Sequence, residues 1–145
     1  MPPTNILLIT SDQQHYDTLG VTNPRIRTPH LDRLAAEGTR FDRAYCVNPT
    51  CSPSRATLIT GMYPSAHGCW AIGVKLPEDA PTVGDIFQQH GYESILIDKT
   101  HFQPLRSEPG KPFFLWASFF DPHPPYILPE PWVSMYDPNA MQPGT

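Results

Sequence analysis

Asn5-Ile6-Leu7-Leu8-Ile9-Thr10 is a continuous apolar run without the alternation of a half-exposed strand, so it suits a strand buried on both faces. Two similar runs follow, Ser94-Ile95-Leu96-Ile97 after Gly91-Tyr92, and Phe113-Phe114-Leu115-Trp116-Ala117-Ser118-Phe119-Phe120 after Pro112. Helical patterns fall between the first two. Thr28 can cap a helix with Pro29 in its first turn, Leu31, Leu34 and Ala35 on one face, and Gly38 at its end. A second pattern starts near Pro53, passes through Ala56, Leu58 and Ile59, and stops at Gly61; a third is capped by Thr82, carries Val83, Ile86 and Phe87, and stops at Gly91. Strands alternating with helices predict an α/β fold: a mostly parallel sheet flanked by helices. No internal repeat or low-complexity tract interrupts the pattern.

In open sheets of this kind, ligands sit beyond the carboxyl ends of the strands. Each predicted strand runs into residues able to do chemistry: Ser11-Asp12-Gln13-Gln14-His15, Asp98-Lys99-Thr100-His101 and Asp121-Pro122-His123. Three such exits suggest one edge assembled for a reaction.

Composition narrows the class. A chain of 145 residues can bury a core as one domain, and 39% hydrophobic with 17% charged residues reads as globular. The net charge of −4 argues against a nucleic-acid binder, and no apolar run approaches membrane-spanning length. Met1-Pro2-Pro3-Thr4-Asn5 lacks the pattern of a signal peptide, so a cytoplasmic address is expected. The three cysteines, Cys46, Cys51 and Cys69, cannot all pair with one another, and free thiols suit that compartment. Asn48-Pro49-Thr50 is blocked as a glycosylation site by its central proline. Of 19 prolines, ten lie from Pro104 onward, so the last third reads as extended or turning backbone.

Cys51 stands just before a predicted helix, with Pro53 where a missing N–H costs nothing. A group in that place meets backbone donors and the positive end of the helix dipole, which favours a thiolate, an oxyanion or a bound sulfate or phosphate. Arg55 lies one turn further on and can aim its guanidinium at the same anion. An isolated cysteine in such a position is more often a buried, inert thiol. The residues around this one decide otherwise.

The stretch from Asn48 to Gly68, with Cys51-Ser52-Pro53-Ser54-Arg55 and then Leu58-Ile59-Thr60-Gly61, closely resembles the sulfatase family signature. The resemblance extends to Asp12, Thr28-Pro29-His30-Leu31-Asp32-Arg33-Leu34-Ala35, Leu76-Pro77-Glu78-Asp79-Ala80-Pro81-Thr82, Lys99-Thr100-His101-Phe102 and Pro122-His123-Pro124-Pro125-Tyr126. It implies an incomplete alkaline-phosphatase-like sulfatase fold. Residues 1–105 would be a contiguous N-terminal part of the catalytic domain, and 106–145 would resemble a later part of the same domain. The junction near Leu105-Arg106 reads like an internal deletion.

The resemblance also implies a chemistry. A maturation enzyme, which reads the short motif on unfolded chain, would oxidise Cys51 to formylglycine, and its hydrate would attack the sulfur of a sulfate monoester, a small molecule or a glycan. Arg55 would steady that hydrate, Lys99 would hold the sulfate, and His101 would contact nucleophile or substrate. His123 would protonate the leaving group or bind sulfate. A divalent cation, calcium before magnesium or manganese, would sit among Asp12, Gln13 and an oxygen at the modified Cys51. His67 reads as structural, shaping the loop after the signature helix.

Gln13 stands where many relatives carry a second aspartate. Its neutral side chain keeps open a phosphonate or phosphate monoester hydrolase on the same scaffold. The family's later metal pair and second lysine have no counterpart in the sequence, so an inactive or non-catalytic remnant is a further reading. A metal module of Cys46, Cys51, His67 and Cys69 fits no zinc spacing well.

Overall fold

The computed structural model describes residues 3–98 and 111–119. Three strands, β1 (Ile6–Ser11), β2 (Glu93–Asp98) and β3 (Phe113–Phe119), form an open sheet in the order β1-β3-β2. Both pairings with β3 are parallel. The register places Ser11 opposite Phe119 and Asp98 opposite Ser118, so all three strands end at one edge. The expected parallel α/β sheet with flanking helices is what the chain forms.

Four helices lie between β1 and β2: α1 (Pro29–Glu37), α2 (Cys51–Thr60), α3 (Pro64–His67) and α4 (Val83–Gln89). The short α3 has no counterpart in the sequence reading, although Pro64 at its start and Gly68 just past its end are ordinary boundary signals. Helix α2 begins two residues earlier than Pro53 suggests, so Cys51 is inside its first turn rather than ahead of it. The cause is the preceding turn. Asn48 Oδ1 accepts from Thr50 N at 2.8 Å, which folds the chain into the helix at once. Gly61 closes α2 at φ 68°, a conformation that costs a glycine no Cβ clash.

Helix α4 is fastened at its start by a capping box. Asp85 N donates to Thr82 Oγ1 at 3.2 Å, and Asp85 Oδ2 accepts from Thr82 N at 2.9 Å. Helix α1 begins after Thr28 as expected, yet the hydroxyl works elsewhere. It accepts from Gly20 N at 2.7 Å and donates to Asp32 Oδ1 at 2.9 Å, tying the loop after β1 to the helix.

The core occupies one side of the sheet. Phe114, Trp116 and Ser118 of β3 point to the side that α2 and α4 cover, as do Ser94 of β2 and Thr10 of β1. Phe87 of α4 stacks on Phe114 with ring centroids 4.6 Å apart, and Ser94 Oγ donates to Gly84 O at 2.8 Å. Trp116 satisfies its buried indole N–H on Thr10 Oγ1 at 2.9 Å.

The opposite face departs from the expectation of strands buried on both sides. Leu7 and Ile9 are 56% and 58% exposed, and Ile97 and Phe119 share their face. A continuous apolar run signals two faces that want cover, and among the described residues helices cover one. No described helix is long and apolar enough to cross a membrane.

Candidate active site

Asp12 follows directly on the last residue of β1 and is buried, with 7% of its surface exposed. Its Oδ2 accepts from Arg55 Nη2 at 3.0 Å, a part-buried ion pair between the sheet edge and α2. The other terminal nitrogen, Nη1, donates to Ser118 Oγ at 2.6 Å. The guanidinium is thus held by the exit of β1 and by β3 at the same time. Its rigid planar fork suits such two-point fixing, which a lysine could not reproduce.

Cys51 and Arg55 are the first and fifth residues of α2, one turn apart on the same helix face. Cys51 is half-buried and has a free thiol. The N–H groups of Cys51 and Ser52 lie ahead of the first intrahelical bond, from Ser54 N to Thr50 O at 3.2 Å, and the buried Pro53 has no N–H to satisfy. The helix start therefore concentrates donors and positive potential beside the thiol.

Gln13 adopts φ 57°, the left-handed region, immediately after Asp12. A non-glycine residue there costs on the order of 1 kcal/mol. The sharp turn takes the chain out of the strand and leaves Asp12 at its end. Ser11 Oγ and Gln14 Oε1 close the same turn at 2.5 Å.

His67 is 2% exposed, and its contacts fix its tautomer. Nδ1 accepts from Cys69 N at 3.1 Å, so the proton sits on Nε2 and is donated to Thr57 Oγ1 at 3.1 Å. The ring splices the loop after α3 onto α2. Cys69 is buried, with its thiol on Val74 O at 3.1 Å, whereas Cys46 is exposed.

The structure therefore brings Asp12 and Arg55 into contact and sets Cys51 on the same helix as Arg55. Lys99, His101 and His123 lie outside the described residues. Ser118 was not singled out in the sequence. The signal was its place at the end of the alternation Phe114, Trp116, Ser118, where a hydroxyl interrupts an apolar face. For a cation, Asp12 and Gln13 offer hard oxygen donors of the right kind. Among the described residues no three His, Cys, Asp or Glu side chains cluster to hold a metal, so these donors do not make a metal site by themselves.

The family model described as Sulfatase matches residues 4–109, well over half of the chain. The chain belongs to the sulfatase family. Members of this family are hydrolases. An ulvan-active sulfatase of Formosa agariphila is 38% identical over 103 residues, 70% of this sulfatase chain and 20% of the relative. The arylsulfatase of Clostridium perfringens is 41% identical over 106 residues, 71% of this chain and 22% of its own. Human N-acetylgalactosamine-6-sulfatase is 35% identical over 124 residues, 72% of this chain and 24% of its own. The chain thus spans about a fifth to a quarter of the length of these relatives.

Among solved structures, BT4656 in complex with its substrate D-glucosamine-2-N,6-O-disulfate superposes with a TM-score of 0.79 at 22% identity, over 86% of this chain and 35% of that one. The phosphonate monoester hydrolase of Agrobacterium radiobacter gives 0.79 at 21%, over 94% and 44%. These likenesses show the fold: this sulfatase chain forms part of the alkaline-phosphatase-like architecture.

Proposed function

We propose that the chain carries the nucleophile-bearing part of a sulfuric ester hydrolase that cleaves a sulfate monoester. The supporting observation is the joint placement of Cys51 in the first turn of α2 and Arg55 one turn along, with Arg55 bonded to Asp12 at the end of β1. A formylglycine made from Cys51 by a maturation enzyme would supply, as its hydrate, one hydroxyl to attack sulfur and a second to release sulfate. Arg55 orients and neutralises the oxygens gathered there, and the start of α2 adds its dipole. Lys99 would hold sulfate, His101 would contact the nucleophile or substrate, and His123 would give the leaving oxygen its proton or bind sulfate.

A divalent cation, calcium first and magnesium or manganese next, would be held by Asp12 and Gln13 with an oxygen at position 51 and ligands from beyond the described residues. It would supply positive charge beside the sulfate oxygens. A sulfated glycan is the substrate class that the human relative's name supports.

Gln13 favours a second reading, a phosphonate or phosphate monoester, because an uncharged donor beside Asp12 changes the charge that the site offers. The test is to co-express the full chain with a formylglycine-generating enzyme and confirm conversion of Cys51 by peptide mass. Matched chromogenic sulfate and phosphonate monoesters are then compared with calcium and with a chelator. Faster sulfate turnover, lost in Cys51→Ala and in chelator, is the expected result. Faster phosphonate turnover selects the second reading, and a fully converted chain inert toward both esters refutes both.

A further inference from the structure

Along the covered face of β3 the side chains run Phe114, Trp116, Ser118, and the last is 1% exposed. A hydroxyl so deeply placed needs a partner, and it takes one of the two terminal nitrogens of Arg55 at 2.6 Å while Asp12 takes the other at 3.0 Å. Asp12 Oδ2 holds Nη2. The second contact, from a neighbouring strand, fixes the plane of the guanidinium. Asp12 already pairs with Arg55, so a second carboxylate at this place would make the group net negative and repel an anion at Cys51. A hydroxyl accepts the hydrogen bond and adds no charge.

We infer that Ser118 is a positioning residue, whose hydroxyl sets the plane in which Arg55 presents its guanidinium to an anion at the start of α2. This rests on the reading of Cys51 and Arg55 as an anion-handling pair. It assigns to β3 a part in the site that does not depend on the residues beyond the strand.

The test uses the full chain with Cys51 unmodified, labelled with nitrogen-15. Two fixed terminal nitrogens slow rotation within the guanidinium, so Arg55 should give separate side-chain N–H resonances by nuclear magnetic resonance. Ser118→Ala, and the shape-matched Ser118→Cys with its weak acceptor, should merge or broaden them. Affinity for inorganic sulfate, read by calorimetry, should fall about tenfold in both variants. In an Arg55→Ala background, Ser118→Ala should cost no further affinity, because the hydroxyl acts through the arginine. Unchanged Arg55 resonances in the Ser118 variants, or an equal affinity loss with Arg55 absent, would overturn the inference. If the resonances respond to Ser118 but no form of the chain binds sulfate, the positioning role stands and the anion-handling reading of Cys51 falls.

Discussion

At the scale of single residues, the site is held by side chains that each satisfy two demands. Arg55 bridges Asp12 and Ser118, and His67 bridges Thr57 and the Cys69 amide. His67 is the cleaner case for measurement, because both of its ring nitrogens have partners and it is almost wholly enclosed. His67→Ala would leave a cavity and strand the Cys69 N–H, so it should lower unfolding stability by roughly 3 kcal/mol. His67→Phe restores the volume but not the bonds and should recover less than half of that loss; urea titrations of both variants provide the check. The structural role of His67 was legible from its position after the signature helix. Its partners were not, because a tautomer is chosen by three-dimensional neighbours that spacing does not reveal.

At the scale of elements, helix boundaries divide into those written locally and those set by neighbours. The Thr82 cap was readable, since threonine followed three residues later by aspartate is a local device. Hydrogen bonds from the Thr82 side chain and then its backbone hold the Asp85 carboxyl below its ordinary value of 3.8. A lowered folded-state value stabilises the fold above the unfolded value, and the gain disappears as pH falls through the folded value. The capped protein should therefore lose stability as pH falls from about 5 down through the lowered folded value, and Asp85→Asn should flatten that part of the profile. Thr82→Ala should cost about 1 kcal/mol at neutral pH. Both effects are read from denaturation midpoints across pH. The start of α2 lies two residues ahead of Pro53, because Pro53 is a strong signal in the sequence and the turn closed by Asn48 is a weak one. Thr28 met the pattern of a cap, yet its hydroxyl was recruited by Gly20 and Asp32.

At the scale of the whole molecule, among the described residues the sheet has one face covered by helices and one that they leave exposed. Parallel pairing and the helix layer follow from runs and spacings that any α/β chain must show, whereas the strand order β1-β3-β2 is not written in them. Which face the described helices cover could not be read from β1, because an unbroken apolar run looks the same on either side. Leu7, Ile9, Ile97 and Phe119 on the exposed face make a patch that water does not favour. The chain should bind a hydrophobic dye and self-associate with rising concentration. Ile9→Lys, at an exposed position, should reduce both without lowering the unfolding midpoint by more than about 1 kcal/mol. Dye fluorescence and sedimentation velocity measure the two effects; an unchanged association state in Ile9→Lys would locate the contact elsewhere.

Of the three described strands, the middle one is the last to be synthesised. Among the described residues β1 and β2 meet through β3, and Ile6 pairs with Phe114 across most of the chain, so neither early strand has this neighbour until the ribosome has passed Phe119. Between the synthesis of Arg55 and that of Phe119 lie about 60 residues, roughly 3 to 12 seconds at ordinary elongation rates. During that interval the Cys51 motif lacks β3 and the contact of Arg55 with Ser118. On the formylglycine reading proposed above, a maturation enzyme that requires unfolded chain would find its window in this delay, and the late arrival of β3 would then set how long Cys51 stays accessible to it.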